Sequence, residues 1–118
     1  MDHLNGYAVI DLETTGFGKY DRIVEIGVVL LDPDLNEERR WRTLVQPMRD
    51  IPNSEIHGIT ATDLVDAPTF DKVAEEFRAV VGSRTPVAHN APFEKRFLAA
   101  EFDRAEMPDT LPEQWVDT

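Results

Sequence analysis

Three segments near the start of the chain have the apolar and β-branched residues that are typical of strands. Tyr7 to Leu12 is a short apolar run, Arg22 to Leu31 is longer and rich in valine and isoleucine, and Glu38 to Val45 is more polar. Turn-forming residues separate these segments, at 16–21 and 32–36. Because both connections are short, we predict that the three strands form an antiparallel meander.

The second part of the chain has the spacing of helices that alternate with strands. Apolar residues at three- and four-residue steps predict a helix from an N-cap at Thr69 to about Val81, and another from an N-cap at Asn90 to about Ala105. Short apolar runs predict strands at 85–88 and 114–117. Alternation of this kind favours parallel strands joined by helices.

The connector between the two parts is predicted to form a loop or single helical turn at 51–59, followed by a short helix from Thr60 to Pro68. The complete order is three antiparallel strands, then helix, strand, helix and strand, which indicates an α/β fold. No linker or repeat divides the chain, so we predict a single domain over residues 1–118. The last strand has no covering helix after it, so we expect the C-terminal part of this domain to be missing.

Composition narrows the function classes. The formal net charge of −11 argues against a protein that binds nucleic acid non-specifically through a basic surface. It is compatible with an enzyme that meets phosphate through bound metal ions, because such a site needs acidic residues. The chain has no cysteine, which excludes disulfides and thiolate metal sites. We see neither a signal peptide nor a membrane-spanning run, so a cytoplasmic location without a membrane partner is expected.

Two carboxylates, Asp11 and Glu13, stand at the end of the first predicted strand. Side chains on a strand alternate between its faces, so these two residues project side by side. Ionised carboxylates in such proximity repel each other, and burial raises the free-energy cost of ionising either one. A cation between them would remove that cost, and ligands that are all oxygen atoms favour Mg2+ or Mn2+ over zinc.

A third acid, Glu94, lies in the first turn of the helix that follows the strand at 85–88. Functional sites of α/β folds gather at the carboxyl ends of strands, where His89 and Asn90 also lie. An acidic residue in a first turn is also favoured by the helix macrodipole alone, so an ordinary capping role for Glu94 stays open.

Three motifs in series resemble the DEDDh exonucleases, the family of the DNA polymerase III epsilon subunit and ribonuclease T. The motifs are Asp11-x-Glu13-Thr14-Thr15-Gly16, then Ile56-His57-Gly58-Ile59-Thr60, then His89-Asn90-Ala91-x-Phe93. The resemblance implies a ribonuclease H-like fold and 3'-to-5' hydrolysis of nucleic acid ends, with release of nucleoside monophosphates. It also implies a single-stranded 3' end as substrate, more often DNA than RNA, and a DNA polymerase subunit as a possible partner.

The resemblance also implies the residues of the site. Two divalent ions, Mg2+ or Mn2+, would be held by the catalytic acids Asp11, Glu13 and Glu94. The implied substrate contacts are Thr14, Thr15, Gly16, His57, Asn90 and Phe93.

The chain departs from the family pattern in two places. The family's third acid is an aspartate, and this chain has Glu94 at that position. The family's general-base histidine and fourth aspartate belong to a later motif, and neither His57 nor His89 is expected to replace that histidine. We therefore expect little activity from these 118 residues alone.

Two alternatives remain open at this level. Asp11-x-Glu13-Thr14-Thr15 loosely resembles the nucleophile strand of the haloacid dehalogenase-type phosphatases, in which the first aspartate attacks phosphate. A non-catalytic module that binds nucleic acid ends or a polymerase would also explain Glu94 and the absence of the last motif.

Overall fold

The computed structural model describes residues 5–48 and 57–118, which form one five-stranded mixed sheet with two helices. The elements in chain order are β1 (Tyr7–Thr14), β2 (Ile23–Leu31), β3 (Glu37–Leu44), α1 (Phe70–Val81), β4 (Thr85–Ala88), α2 (Ala91–Arg104) and β5 (Val116–Asp117). The strands lie in the order β3-β2-β1-β4-β5. The first three strands are antiparallel, whereas β4 and β5 are parallel to β1. The predicted meander followed by alternating helices and strands is therefore confirmed.

The central strand β1 is paired unequally on its two sides. It pairs with β2 from Tyr7 to Thr14 but with β4 only from Tyr7 to Val9. Beyond Val9, β1 therefore continues past the end of β4, and α2 begins beside it. The carboxyl ends of β1 and β4 therefore lie at the start of α2, and this end of the strands is the usual place for a site in an α/β sheet.

One face of the sheet packs against both helices and forms the core. Alternate residues of β1 and β2 join aromatic residues of the helices in one buried cluster, including Ala8, Ile10, Leu12, Ile26, Val28, Leu30, Phe70, Phe77 and Phe97. The period of two along each strand places Asp11 and Glu13 on the opposite face. In the part of the chain that the structure describes, no helix has both the length and the apolar character needed to cross a membrane.

The predicted short helix from Thr60 to Pro68 is wrong, because residues 61–66 form successive turns. The helix-start signal is nevertheless present: the Asp63 carboxylate accepts from the Thr60 backbone N–H at 2.9 Å, and the Thr60 hydroxyl accepts from the Asp63 N–H at 3.3 Å. Subsequent bonds, such as the one from Leu64 N–H to the Ala61 carbonyl, span three residues and not the four of an α-helix. Of the connector predicted at 51–59, residues 51–56 lie outside the described residues.

The boundaries of α1 are confirmed, although its N-cap works differently from the prediction. Thr69 occupies the N-cap position with extended backbone, but within the described residues its side chain makes no cap hydrogen bond and its hydroxyl donates to Asp71 instead. Gly82 ends the helix with φ 57°, and its N–H donates to the Arg78 carbonyl at 2.9 Å. That positive φ is the conformation that makes glycine the usual residue after a helix.

Candidate active site

Asp11 and Glu13 lie side by side on the sheet face that the helices leave open. Glu13 is paired across the strands with Glu25, and Asp11 with Gly27. Burial raises the pKa of Glu13, the negative charge of Asp11 raises it further, and His57 opposes both. The geometry therefore matches the predicted pair, with the difference that Asp11 is exposed and only Glu13 is partly buried.

Glu94 lies where α2 begins, with only 5% of its surface exposed. The backbone N–H of Leu12, between Asp11 and Glu13, donates to its carboxylate. Among the described residues, the other oxygen, Oε2, is buried without a hydrogen-bond partner. Burial raises the pKa of Glu94 to about 8, with further contributions from the charges of Asp11 and Glu13 that outweigh the Leu12 hydrogen bond. The structure thus brings the third predicted acid to the other two.

These three acids fit a divalent cation by their chemistry. Their donor set is oxygen only, which suits Mg2+ or Mn2+, and the unpartnered Glu94 oxygen is the kind of buried polar atom that a bound ion would satisfy. In residues 5–48 and 57–118, no three His, Asp or Glu side chains already stand in a metal-binding arrangement. The carboxylates interact electrostatically, and because Glu94 is protonated at neutral pH the group can remain together without a cation.

His57 lies close enough to Glu13 to lower the pKa of that carboxyl. The His57 Nδ1 accepts a hydrogen bond from the Ile59 backbone N–H at 3.0 Å. This position next to the acids is compatible with the predicted substrate contact.

The turn after β1 is organised by Asp21. Its carboxylate accepts from the Thr15 hydroxyl at 2.8 Å and from the Gly18 backbone N–H at 2.8 Å. The Thr15 hydroxyl also accepts from the Arg22 N–H at 3.0 Å, and the side chain is buried. The Thr14 hydroxyl donates to the Gly16 carbonyl at 2.7 Å. The two threonine hydroxyls are thus engaged in shaping the turn, so the substrate contact predicted for Thr14 and Thr15 would have to come from their backbone.

The structure gives a packing reason for a glycine at position 16, which the sequence did not reveal. A Cβ atom at this position would lie 2.6 Å from Asp21 Oδ2. Because Thr15 and Gly18 hold that carboxylate, we expect Gly16→Ala to displace it and to lower the free energy of unfolding by about 1–2 kcal/mol, the cost of lost hydrogen bonds. Urea denaturation measures this change.

Gly27→Ala is the matched control, since the nearest atom to its added Cβ is the Asp11 carbonyl oxygen at 3.7 Å. We expect Gly27→Ala to change the free energy of unfolding little. Equal effects of the two substitutions would show that Asp21 can move freely.

The third motif is placed at the start of α2. Asn90 adopts the left-handed conformation with φ 64° and ψ 59° and is exposed. The ring of Phe93 lies 5.7 Å from that of Phe17 and 4.7 Å from that of Phe97. Phe17 is 74% exposed and Phe93 is partly buried, so these two rings form an aromatic surface beside the turn after β1, with Phe97 buried beneath Phe93.

Asn90 occupies the predicted N-cap position of α2, but among the described residues its side chain makes no cap hydrogen bond. The Asp117 carboxylate of β5 takes that role and accepts from the Ala91 backbone N–H at 2.9 Å. Residues that cap a helix with their own side chain usually have extended backbone, and the left-handed backbone of Asn90 departs from that conformation.

Glu101 is a second residue that sequence reasoning missed. It is 1% exposed and accepts from Arg22 Nε at 3.0 Å and Nη2 at 2.7 Å. It also accepts from the Ile23 backbone N–H at 3.0 Å. Glu94 and Glu101 are seven residues apart and so share one face of α2. One glutamate thus reaches β1 and the other fixes the helix to the start of β2.

Comparisons with known proteins agree with this architecture. The exonuclease family model of the RNase T type matches residues 8–118. The chain is 38% identical over 116 residues to a DNA polymerase III PolC-type of Clostridium perfringens, covering 95% of this chain and 8% of that protein. It is 37% identical over 115 residues to the DNA polymerase III subunit epsilon of Treponema pallidum, covering 95% of this chain and 53% of that protein.

Solved structures support the fold independently. A crystal structure of Escherichia coli exonuclease I in complex with a dT13 oligonucleotide matches with a TM-score of 0.78 at 17% sequence identity, over 87% of this chain and 24% of that chain. The ribonuclease H-like fold is therefore confirmed. The chain spans about half or less of the length of these relatives.

The family match decides between the readings of the first motif. The match covers the first motif within an exonuclease domain and removes the basis for a phosphatase of the haloacid dehalogenase type. Sheet topology, acid cluster and family match agree, and the chain belongs to the RNase T family of exonucleases.

Proposed function

We propose that this chain carries the metal-binding acids and the 3'-end site of a 3'-to-5' exonuclease that releases nucleoside monophosphates. The observation that carries the proposal is the buried Glu94 carboxyl, with one oxygen unpartnered among the described residues, beside Asp11 and Glu13. A carboxyl in that state is a candidate functional group, since perturbed pKa values cluster at active sites. Family membership adds independent support.

Asp11, Glu13 and Glu94 would hold two divalent ions, Mg2+ or Mn2+. Such ions supply charge stabilisation at a phosphodiester and lower the pKa of a bound water. The Leu12 N–H keeps one Glu94 oxygen in place, and within the described residues the other oxygen has no hydrogen-bond partner and is available to an ion. Because Glu94 holds a proton at neutral pH, that proton has to leave when its carboxylate becomes a ligand.

The terminal nucleotide would be held by residues around these acids. His57 lies beside Glu13, and the turn at Thr14, Thr15 and Gly16 presents its backbone next to the strand end. Asn90 is exposed at the start of α2, and Phe93 belongs to an aromatic surface on which bases of a single strand can stack.

The substrate and partner are proposed from the relatives. Exonuclease I, whose domain has the same fold, was solved with a dT13 oligonucleotide, so we propose single-stranded DNA in preference to RNA. Relatives named as subunits or types of DNA polymerase III suggest proofreading in association with a polymerase. The cytoplasmic location stays a prediction.

The proposal is tested by titrating the purified protein with Mn2+ in a calorimeter and by following a 5'-labelled single-stranded DNA oligonucleotide. We expect Mn2+ binding that Asp11→Asn abolishes, and slow shortening of the DNA from its 3' end that requires Asp11. Asp34→Asn is the matched control, because Asp34 is exposed and lies beyond the opposite end of β2.

Absence of Mn2+ binding, or cleavage from the 5' end, would contradict the exonuclease assignment. Binding of Mn2+ and of DNA 3' ends with no shortening at any protein concentration would favour the non-catalytic module.

A further inference from the structure

The start of α2 is held by a residue of another strand. The first N–H groups of a helix have no partner within it, and one of them, that of Ala91, donates to Asp117 Oδ1 at 2.9 Å. Within the described residues, the N-cap residue Asn90 supplies no side-chain bond of its own. The orientation of the first turn of α2 therefore depends on Asp117.

Asp117 is itself held in register by β4. It pairs with Ala88 in the parallel ladder, and the Thr118 backbone N–H donates to the Ala88 carbonyl at 3.0 Å. The carboxylate is thus carried by the sheet and reaches the helix across the loop at 89–90. A negative charge at this end of α2 is also favoured by the helix macrodipole.

Glu94 belongs to the same turn that Asp117 holds. Its backbone N–H donates to the Asn90 carbonyl at 3.3 Å, in the first bonds of the helix. Its side chain reaches the Leu12 N–H with one oxygen and is buried. A rotation of the first turn would therefore move the Glu94 carboxyl away from Asp11 and Glu13.

We infer that Asp117 is a positioning residue for the acid cluster, which it serves by fixing the first turn of α2 and with it Glu94. The inference has two parts. The first is structural and concerns the contact between Glu94 and Leu12, and the second concerns metal binding and rests on the proposed metal role of Glu94. Each part has its own measurement.

The first measurement is the exchange rate of the Leu12 amide in protein without metal, followed by NMR. We expect about tenfold faster exchange in Asp117→Ala, because the Glu94 acceptor is displaced. Asp117→Asn keeps an oxygen acceptor and should stay within about twofold of the wild type. Asp32→Ala is the control for a lost backbone acceptor, since Asp32 accepts from the N–H groups of Asp34 and Asn36 in a distant turn.

The second measurement is the Mn2+ affinity of the same variants by calorimetry. We expect Asp117→Ala to bind about tenfold more weakly, the usual effect of losing a group that orients a ligand. Asp117→Asn and Asp32→Ala should bind as the wild type does.

The outcomes separate the two claims. Unchanged Leu12 exchange in Asp117→Ala overturns the inference, whatever happens to Mn2+. Equal losses in Asp117→Asn and Asp117→Ala overturn it as well, because they would assign the effect to the charge of Asp117. A wild type that binds no Mn2+, with Leu12 exchange accelerated as expected, overturns the proposed function and leaves the positioning of Glu94 supported.

Discussion

Glu101→Ala is expected to lower the free energy of unfolding by about 3–5 kcal/mol, the cost of removing one partner of a buried ion pair. The Glu101 carboxylate accepts from the Arg22 guanidinium at three donor–acceptor distances of 2.7–3.0 Å and from the Ile23 backbone N–H at 3.0 Å. Alanine would leave that N–H and the half-buried guanidinium without their acceptor. Urea denaturation followed by far-UV circular dichroism measures the loss.

Glu37→Ala is the matched control for Glu101→Ala. Glu37 also accepts two hydrogen bonds from an arginine, Arg40, at 2.9 and 3.0 Å, but both side chains are exposed. Exposed pairs of this kind contribute little to stability. A loss of similar size in the two variants would contradict the importance of burial.

Glu101→Gln keeps an oxygen for the Ile23 N–H and is the variant to use if the alanine variant does not fold. We expect it to lose less stability than Glu101→Ala.

Without divalent cations, the free energy of unfolding is expected to decrease as pH rises from about 5 to 9, by an amount on the order of 4 kcal/mol from Glu94. The pKa of Glu94 is about 8 in the folded protein, against 4.5 for an ordinary glutamate. The folded state therefore binds the proton more tightly, and its contribution to stability is complete below pH 4.5 and lost as pH rises through 8. The raised pKa of Glu13 acts in the same direction.

Glu94→Gln should remove most of this pH dependence, because glutamine mimics the protonated carboxyl and cannot ionise. Urea denaturation in EDTA at pH 5, 7 and 9 tests it. Glu113→Gln, at an exposed glutamate outside the cluster, controls for the loss of one charge. An unchanged slope in Glu94→Gln, or a wild type that becomes more stable toward pH 9, would refute the assignment.

The measurement should stay above pH 5, because three acids outside the cluster contribute to stability with the opposite dependence on pH. Hydrogen bonds lower the pKa of Asp32, Glu37 and Asp63 below the ordinary values. Their contributions to stability are lost as pH falls below about 4.

The features that could be predicted from the sequence are those that follow from the spacing of residues along one strand or one helix. Alternation along β1 placed Asp11 and Glu13 on one face, and helical spacing placed Glu94 in the first turn of α2, as the structure has them. The segment from Thr60 to Pro68 had a genuine start signal, but a capping bond does not oblige the following residues to form a helix.

The contacts that the sequence could not predict join residues far apart in the chain. Glu101 meets Arg22 across 79 positions, and Asp117 meets Ala91 across 26. Long-range polar contacts of this kind produce no periodic pattern in the sequence, and Glu101 and Asp117, each taken alone, look like ordinary surface acids. For the same reason the sequence did not show that the missing Cβ of Gly16 makes room for the Asp21 carboxylate, five residues further along the chain.

The unequal pairing of β1 bears on the order in which the molecule assembles. Its eight-residue ladder with β2 closes over a short turn, whereas its three-residue ladder with β4 joins segments more than seventy positions apart. Local pairings form faster than distant ones, so the meander should precede the parallel half. Asp11 and Glu13 would then be neighbours before Glu94 arrives, and a partial opening of the parallel half would separate Glu94 from them while the meander stays intact.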